Sequence, residues 1–164
     1  MKKIAVSIIM GSDSDYSVMK EAAKILKSFG ISFETKIVSA HRTPKEMVTY
    51  SEELEMRGVQ VVIAGAGGAA HLPGMVASLT SVPVIGVPVP VGPLSGKDAL
   101  YSIVQMPTGV PVATVAIGNS ANAALLAIKI IAFGGPGGDS NLKNKLNRHR
   151  EDLRKKVIAK KLPR

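Results

Sequence analysis

Short apolar runs alternate along the chain with amphipathic stretches of helical spacing, a pattern of strands and helices in turn. Ile4 to Met10 reads as a first strand. Asp15 to Phe29 reads as a helix with Val18, Met19, Ala22, Ala23, Leu26 and Phe29 on one face and Gly30 at its end. Ile31 to Val38 interleaves Ser32, Glu34 and Lys36 with apolar residues, which predicts a strand nearer the sheet edge. Thr43-Pro44-Lys45-Glu46 combines a capping-box threonine and glutamate with proline in the first turn, so a helix is expected from Pro44 to about Arg57, stopped by Gly58.

The stretch from Val59 to Met75 organises the rest. Its nearly continuous apolar run reads as a strand buried on both faces, hence a parallel sheet covered by helices. It passes into Gly67-Gly68-Ala69-Ala70-His71-Leu72-Pro73-Gly74, where glycines let backbone amides approach a ligand and a helix from about Leu72 to Thr80 begins. A short strand at Val84 to Val87 follows, then a loop through Pro90, Gly92 and Pro93. Ser95 and Asp98 are expected to cap a helix through Gln105, and Pro111 to Ile117 reads as a second buried strand. Five strands in this order predict a parallel α/β domain. Asn119 to Phe133 is apolar all round apart from Asn122 and Lys129, which predicts a helix buried between subunits of an obligate homo-oligomer. Gly134-Gly135-Pro136-Gly137-Gly138 then links one α/β domain, residues 1–138, to a basic C-terminal helix, 139–164, packed on the same domain or on a neighbouring subunit.

Composition narrows the class. A chain of 164 residues, 46% hydrophobic and 20% charged, suits one globular domain, and with three Tyr and three Phe its core must be aliphatic. The absence of cysteine excludes a disulfide framework, thiolate zinc and a cysteine nucleophile, and leaves a cytoplasmic protein as the expectation. Met1-Lys2-Lys3 with the first apolar run mimics a signal peptide, but Gly11-Ser12-Asp13 ends the run without a cleavage pattern. No membrane span is expected, since Gly118-Asn119-Ser120, Asn122 and Lys129 break the longest weakly charged region. The formal charge of +9 is concentrated in the tail: residues 1–138 carry eleven Lys+Arg against nine Asp+Glu, residues 139–164 ten against three. There Leu142, Leu146, His149, Leu153 and Val157 fall at helical spacing, so the charge reads as the outer face of a docked helix, with no nucleic-acid motif beside it.

Candidate chemistry lies where three strands end. Gly11-Ser12-Asp13-Ser14-Asp15 offers hydroxyls and amides to a phosphate and a carboxylate to ribose hydroxyls; plain helix capping is the competing reading. Ser39-Ala40-His41-Arg42-Thr43 offers a forked guanidinium and a hydroxyl for phosphate, with His41 suited to proton exchange near neutral pH or else a satisfied loop histidine. His71, at the head of a helix after the glycine loop, is expected to hydrogen-bond that loop rather than take part in chemistry. No metal-ligand spacing occurs, and Ala64-Gly65-Ala66 lacks the aspartate that a phosphoacceptor domain needs.

Four blocks in order carry a resemblance: Gly11 to Asp15, Ser39 to Pro44, Gly65 to Met75 and Ser102 to Pro107 resemble the PurE family of purine biosynthesis, over about residues 4 to 133. Arg42 with the following Thr43-Pro44 looks like the class I form, 5-(carboxyamino)imidazole ribonucleotide mutase. The class II form, which carboxylates aminoimidazole ribonucleotide with CO2 directly, usually has lysine there. The resemblance implies a three-layer flavodoxin-like sheet, an octamer with sites between subunits, and catalysis without metal, ATP or organic cofactor. It implies that His41 carries the proton, that Ser12, Ser14, Ser39 and Arg42 meet the phosphate, that Asp15 meets the ribose, and that Ala66, Gly67 and Leu72 enclose the base and the transient CO2. The chain departs from the family pattern in its shortened connection at Gly118-Asn119-Ser120-Ala121 and in its version of the loop at Val91-Gly92-Pro93. A non-catalytic nucleotide-binding module is the alternative of a different class.

Overall fold

The computed structural model describes residues 3–162; the Met1-Lys2 opening and the last two residues of the basic tail lie outside the described residues. Five parallel strands form one sheet in the order β2-β1-β3-β4-β5: β1 Val6–Met10, β2 Phe33–Ile37, β3 Val61–Gly67, β4 Val84–Val89 and β5 Ala113–Thr114. This order is flavodoxin-like and reverses between β1 and β3, the place where such sheets bind ligands beyond their carboxyl ends. The helices are α1 Tyr16–Phe29, α2 Pro44–Glu52, α3 Leu72–Ala77, α4 Lys97–Val104, α5 Ser120–Phe133 and α6 Ser140–Ile158. Among the described residues no helix is long and apolar enough to cross a membrane.

Strand alternation sorts the aliphatic side chains into two cores. Val6, Ile8 and Met10 of β1, Val61 and Ile63 of β3 and Ile85 and Val87 of β4 pack under α1 and α5, with Met19, Leu26, Ala124 and Ile128. Ile9, Val62, Ala64 and Val84 point to the other face, against Met47, Leu54, Val76 and Ile103 from α2, α3 and α4 and their flanks. Each fully buried aliphatic side chain contributes about 1.5–3 kcal/mol. α1 closes as expected: Gly30 sits at φ 77°, its N–H bonds the Lys27 carbonyl, and the Ile31 N–H reaches back to Leu26, a Schellman arrangement.

Several local expectations fail for identifiable reasons. Thr43 makes no capping box, because its hydroxyl donates to the Ser39 carbonyl at 3.1 Å and accepts the Ser39 N–H at 3.3 Å, and α2 ends at Glu52, well short of Arg57. Gly96 at φ 86°, rather than Ser95 or Asp98, stands at the start of α4 with no side-chain cap. β5 is neither long nor buried: pairing covers only Ala113 and Thr114, since Pro88 on β4 has no N–H to donate farther along. The apolar stripe of α6 is covered only in its first half. Leu142 is buried, Lys145 donates to the Phe29 carbonyl and His149 meets the Phe29 ring edge-on, but α6, at 19 residues, outruns the 14-residue α5 and leaves Leu153 and Val157 exposed.

At the β2 edge, a polar cluster fastens α2 and its flank to the sheet. Glu34 accepts hydrogen bonds from Tyr50 (2.8 Å) and Arg57, while the buried Ser7 hydroxyl bonds both Tyr50 and Glu34. Burial alone would raise the Glu34 pKa, but the hydrogen bonds from Arg57 and Tyr50 and the charges of Arg57 and Lys36 hold it below its ordinary value; burial pushes Tyr50 up to about 12.

Candidate active site

The carboxyl ends of β1, β2 and β3 converge as the sequence suggests, and β4 adds a fourth wall. Gly11, Ser12, Ser14 and Asp15 follow β1; Ser39 to Arg42 follow β2; Ala66, Gly67, Ala69 and Leu72 come from β3 and the head of α3. Together with Val91 they line a cleft of about 400 Å³. All nine site residues expected from the sequence are in this lining.

After β1 the chain makes a single 3-10 turn, Asp13–Asp15, before α1. The Ser12 N–H donates to the Asp15 carboxylate at 3.2 Å while the Ser12 hydroxyl accepts from the Ser14 N–H, so capping and a ligand-facing carboxylate occur in the same residues. The Ser12 hydroxyl donates to Asp13 at 2.9 Å. Asp15 is buried, which raises its pKa above the ordinary value; the Ser12 and Gly11 amides, the Ser14 side chain and the Arg42 charge pull the other way.

After β2 a tight turn presents His41 and Arg42 to the cleft. Ser39 is buried and its hydroxyl accepts from both the backbone N–H (3.2 Å) and the Nε (3.3 Å) of Arg42, while Arg42 Nη2 donates to the Gly11 carbonyl at 2.8 Å. These bonds fix the plane of the guanidinium and leave the remaining N–H groups of its fork for an anion.

The expectation for His71 changes. Its ring bonds His41 rather than the glycine loop, with His41 Nε2 and His71 Nδ1 2.7 Å apart. No sequence spacing links residues thirty positions apart; only the placement of β1 between β2 and β3 does. Gly11, Ala40, Ala69 and Val91 also line the cleft without having been expected there, since none carries polar side-chain chemistry to flag it. Among the described residues no group of His, Asp and Glu has the geometry to hold a metal ion.

Comparison with known proteins agrees with this fold. The family model described as AIR carboxylase matches residues 5–156. The chain is 58% identical over 157 residues to a protein of Saccharolobus solfataricus named N5-carboxyaminoimidazole ribonucleotide mutase, covering 96% of this chain and 97% of that one. It is 54% identical over 153 residues to the Vigna aconitifolia protein named phosphoribosylaminoimidazole carboxylase, chloroplastic, covering 93% of this chain and 27% of that longer one. Among solved structures, Treponema denticola PurE superposes with a TM-score of 0.83 at 32% identity, covering 94% of each chain.

Proposed function

The chain belongs to the AIR carboxylase family, and on that premise we propose that it converts 5-(carboxyamino)imidazole ribonucleotide to 4-carboxy-5-aminoimidazole ribonucleotide in purine biosynthesis. The observation that carries this reading is the paired His41 and His71 at the rim of a cleft that also holds Arg42, Ser39 and Asp15.

The reaction moves a carboxylate from the exocyclic nitrogen to ring carbon 4. The C–N bond breaks with its electron pair left on nitrogen, which takes a proton from His41, and CO2 is released. Carbon 4 then attacks CO2, and its proton returns to His41. One group acts in turn as acid and base, work suited to an imidazole. Protons and electrons balance within the cycle, so the proposed chemistry calls for no metal, ATP or organic cofactor.

Each remaining residue has a role that its contacts support. Arg42, pre-set by Ser39 and Gly11, grips the phosphate with Ser39, and the Ser12 and Ser14 hydroxyls complete the cradle, Ser12 turning its proton from Asp13 to the ligand. Asp15 accepts ribose hydroxyls, and its own bond to the Ser12 amide ties ribose recognition to the phosphate loop. Ala66, Gly67 and Leu72 enclose the base and the transient CO2, which makes recarboxylation unimolecular. His71 holds the His41 ring at Nε2 and so leaves Nδ1 as the nitrogen that exchanges the proton.

We place the catalytic domain at residues 1–138 and assign the basic helix, 139–164, to packing on this domain and on a neighbouring subunit of a cytoplasmic homo-octamer. The exposed Phe133, Leu153, Val157 and Ile158 support that assignment. Purified protein given the carboxyamino nucleotide, without ATP or added bicarbonate, is expected to yield the carbon-carboxylated isomer. Product formed only from aminoimidazole ribonucleotide plus CO2 would instead assign the direct carboxylase reaction, the activity in the name of the Vigna aconitifolia relative. Nucleotide binding without turnover would assign a binding module.

A further inference from the structure

The cleft has a polar half and an apolar half, and the sheet order sets the division. The hydroxyls, Asp15, His41 and Arg42 follow β1 and β2, whereas the alkyl side chains Ala66, Ala69, Leu72 and Val91 follow β3 and β4 on the opposite side of the switch point. The His41–His71 bond crosses the boundary.

Val91 closes the apolar half. Its methyls lie over Gly67 so closely that a Cβ on Gly67 would overlap Cγ2 and stand 3.2 Å from Cγ1. Val91 is nonetheless 39% exposed, an alkyl surface at the mouth of the cleft.

We propose that Val91 determines whether CO2 is kept, an inference that rests on the mutase reading. Once the C–N bond has broken, with the electron pair on nitrogen and the His41 proton added there, CO2 has two fates. Carbon 4 can recapture it, forming the C–C bond and returning the ring proton to His41, or it can leave past the rim and be hydrated. CO2 has no net dipole and accepts hydrogen bonds weakly, so its competitor for the space beside the Val91 methyls is water. An alkyl wall disfavours water there. The Val91 methyls also obstruct the route out over Gly67. The ratio of recapture to escape is therefore set by a residue that touches neither the phosphate nor the ribose sites.

Two variants of the full chain test this: Val91→Gly opens the route, and Val91→Thr keeps the volume but exchanges a methyl for a hydroxyl. Each is given the carboxyamino nucleotide in buffer containing ¹³C-bicarbonate and carbonic anhydrase. Label in the product carboxylate and free aminoimidazole ribonucleotide are measured against a protein-free control for spontaneous substrate breakdown. Both quantities, per product formed, are expected to rise about fivefold or more in Val91→Gly and to rise in Val91→Thr, with nucleotide affinity within about twofold of wild type. Labelling equal to wild type in both variants, at whatever overall rate, overturns the proposal. Failure of the wild-type protein to isomerise the nucleotide would overturn the mutase reading itself, so the two failures are distinguishable.

Discussion

The imidazole of His41, after β2, meets that of His71, at the head of α3, nearly edge to face, with ring planes at 88° and Nε2 and Nδ1 2.7 Å apart. One proton lies between the two nitrogens, so the ring that donates fixes the tautomer of the other. His41→Asn is expected to lower kcat by about 10²–10⁴-fold with nucleotide affinity within several-fold. His71→Asn is expected to lower kcat by about 10–100-fold with KM nearly unchanged, the split expected of a group that orients the proton carrier without holding substrate. Steady-state kinetics with an independent binding titration check both; a fall in affinity matching the fall in kcat would remove His71 from this role.

Arg42 is held by Ser39 and Gly11 in one orientation, which lysine cannot reproduce. Arg42→Lys is expected to weaken nucleotide binding by about 1.5–3 kcal/mol while the protein keeps its melting temperature. Calorimetric titration with substrate and with ribose 5-phosphate reads the loss, which is expected to be equal for the two ligands because both offer the same phosphate.

The buried Asp15 has a pKa above its unfolded value, so the native state binds this proton more tightly than the unfolded chain. That contribution to stability is fully present below the unfolded pKa and is lost as pH rises through the folded one. Asp15→Asn keeps an acceptor for the Ser12 amide without the charge. It is expected to melt higher than wild type at neutral pH, with the difference closing below about pH 4, and to bind nucleotide more weakly. Melting curves across pH provide the check.

Glu34 has the opposite sign. Its pKa lies below the unfolded value, so its contribution is present above the unfolded pKa and lost as pH falls through the folded one. Glu34→Ala leaves Arg57, Tyr50 and Ser7 short of a partner and is expected to cost about 2–4 kcal/mol at neutral pH in chemical denaturation, less in acid. Turnover of the folded fraction is expected to remain, since the cluster lies away from the cleft lining.

Gly67→Ala would set a Cβ against the Val91 methyls and 3.1 Å from the Val89 carbonyl. Turnover is expected to fall about tenfold or more through displacement of the Val91 wall, and the double change Gly67→Ala with Val91→Ala is expected to recover part of it. Additive losses in the two single variants and the double would show that the residues do not share this contact.

The sheet and the three polar junctions are legible in the sequence because each depends on local signals. Aliphatic runs mark β1, interrupted only by Ser7, and β3, the alternation of Glu34 and Lys36 marks β2 as an edge, and glycine, serine and aspartate follow the strands at ligand-facing turns. What was not legible depends on partners distant in sequence. Thr43 has the right neighbours for a capping box but finds Ser39 nearer. Pro111 to Ile117 has the hydrophobicity of a core strand, yet a strand needs donors opposite, and Pro88 supplies none. His71 and Val91 enter the site only because β3 lies beside β1 and β4 beside β3 in space.

The two rims of the sheet bear on self-association. β2 presents Glu34 and Lys36 along one edge, and the other edge is a two-residue β5 preceded by Pro107 and Pro111. Charge deters an incoming strand on the first edge, and too little ladder deters it on the second. Copies of this chain therefore have poor templates for edge-to-edge, fibril-like growth.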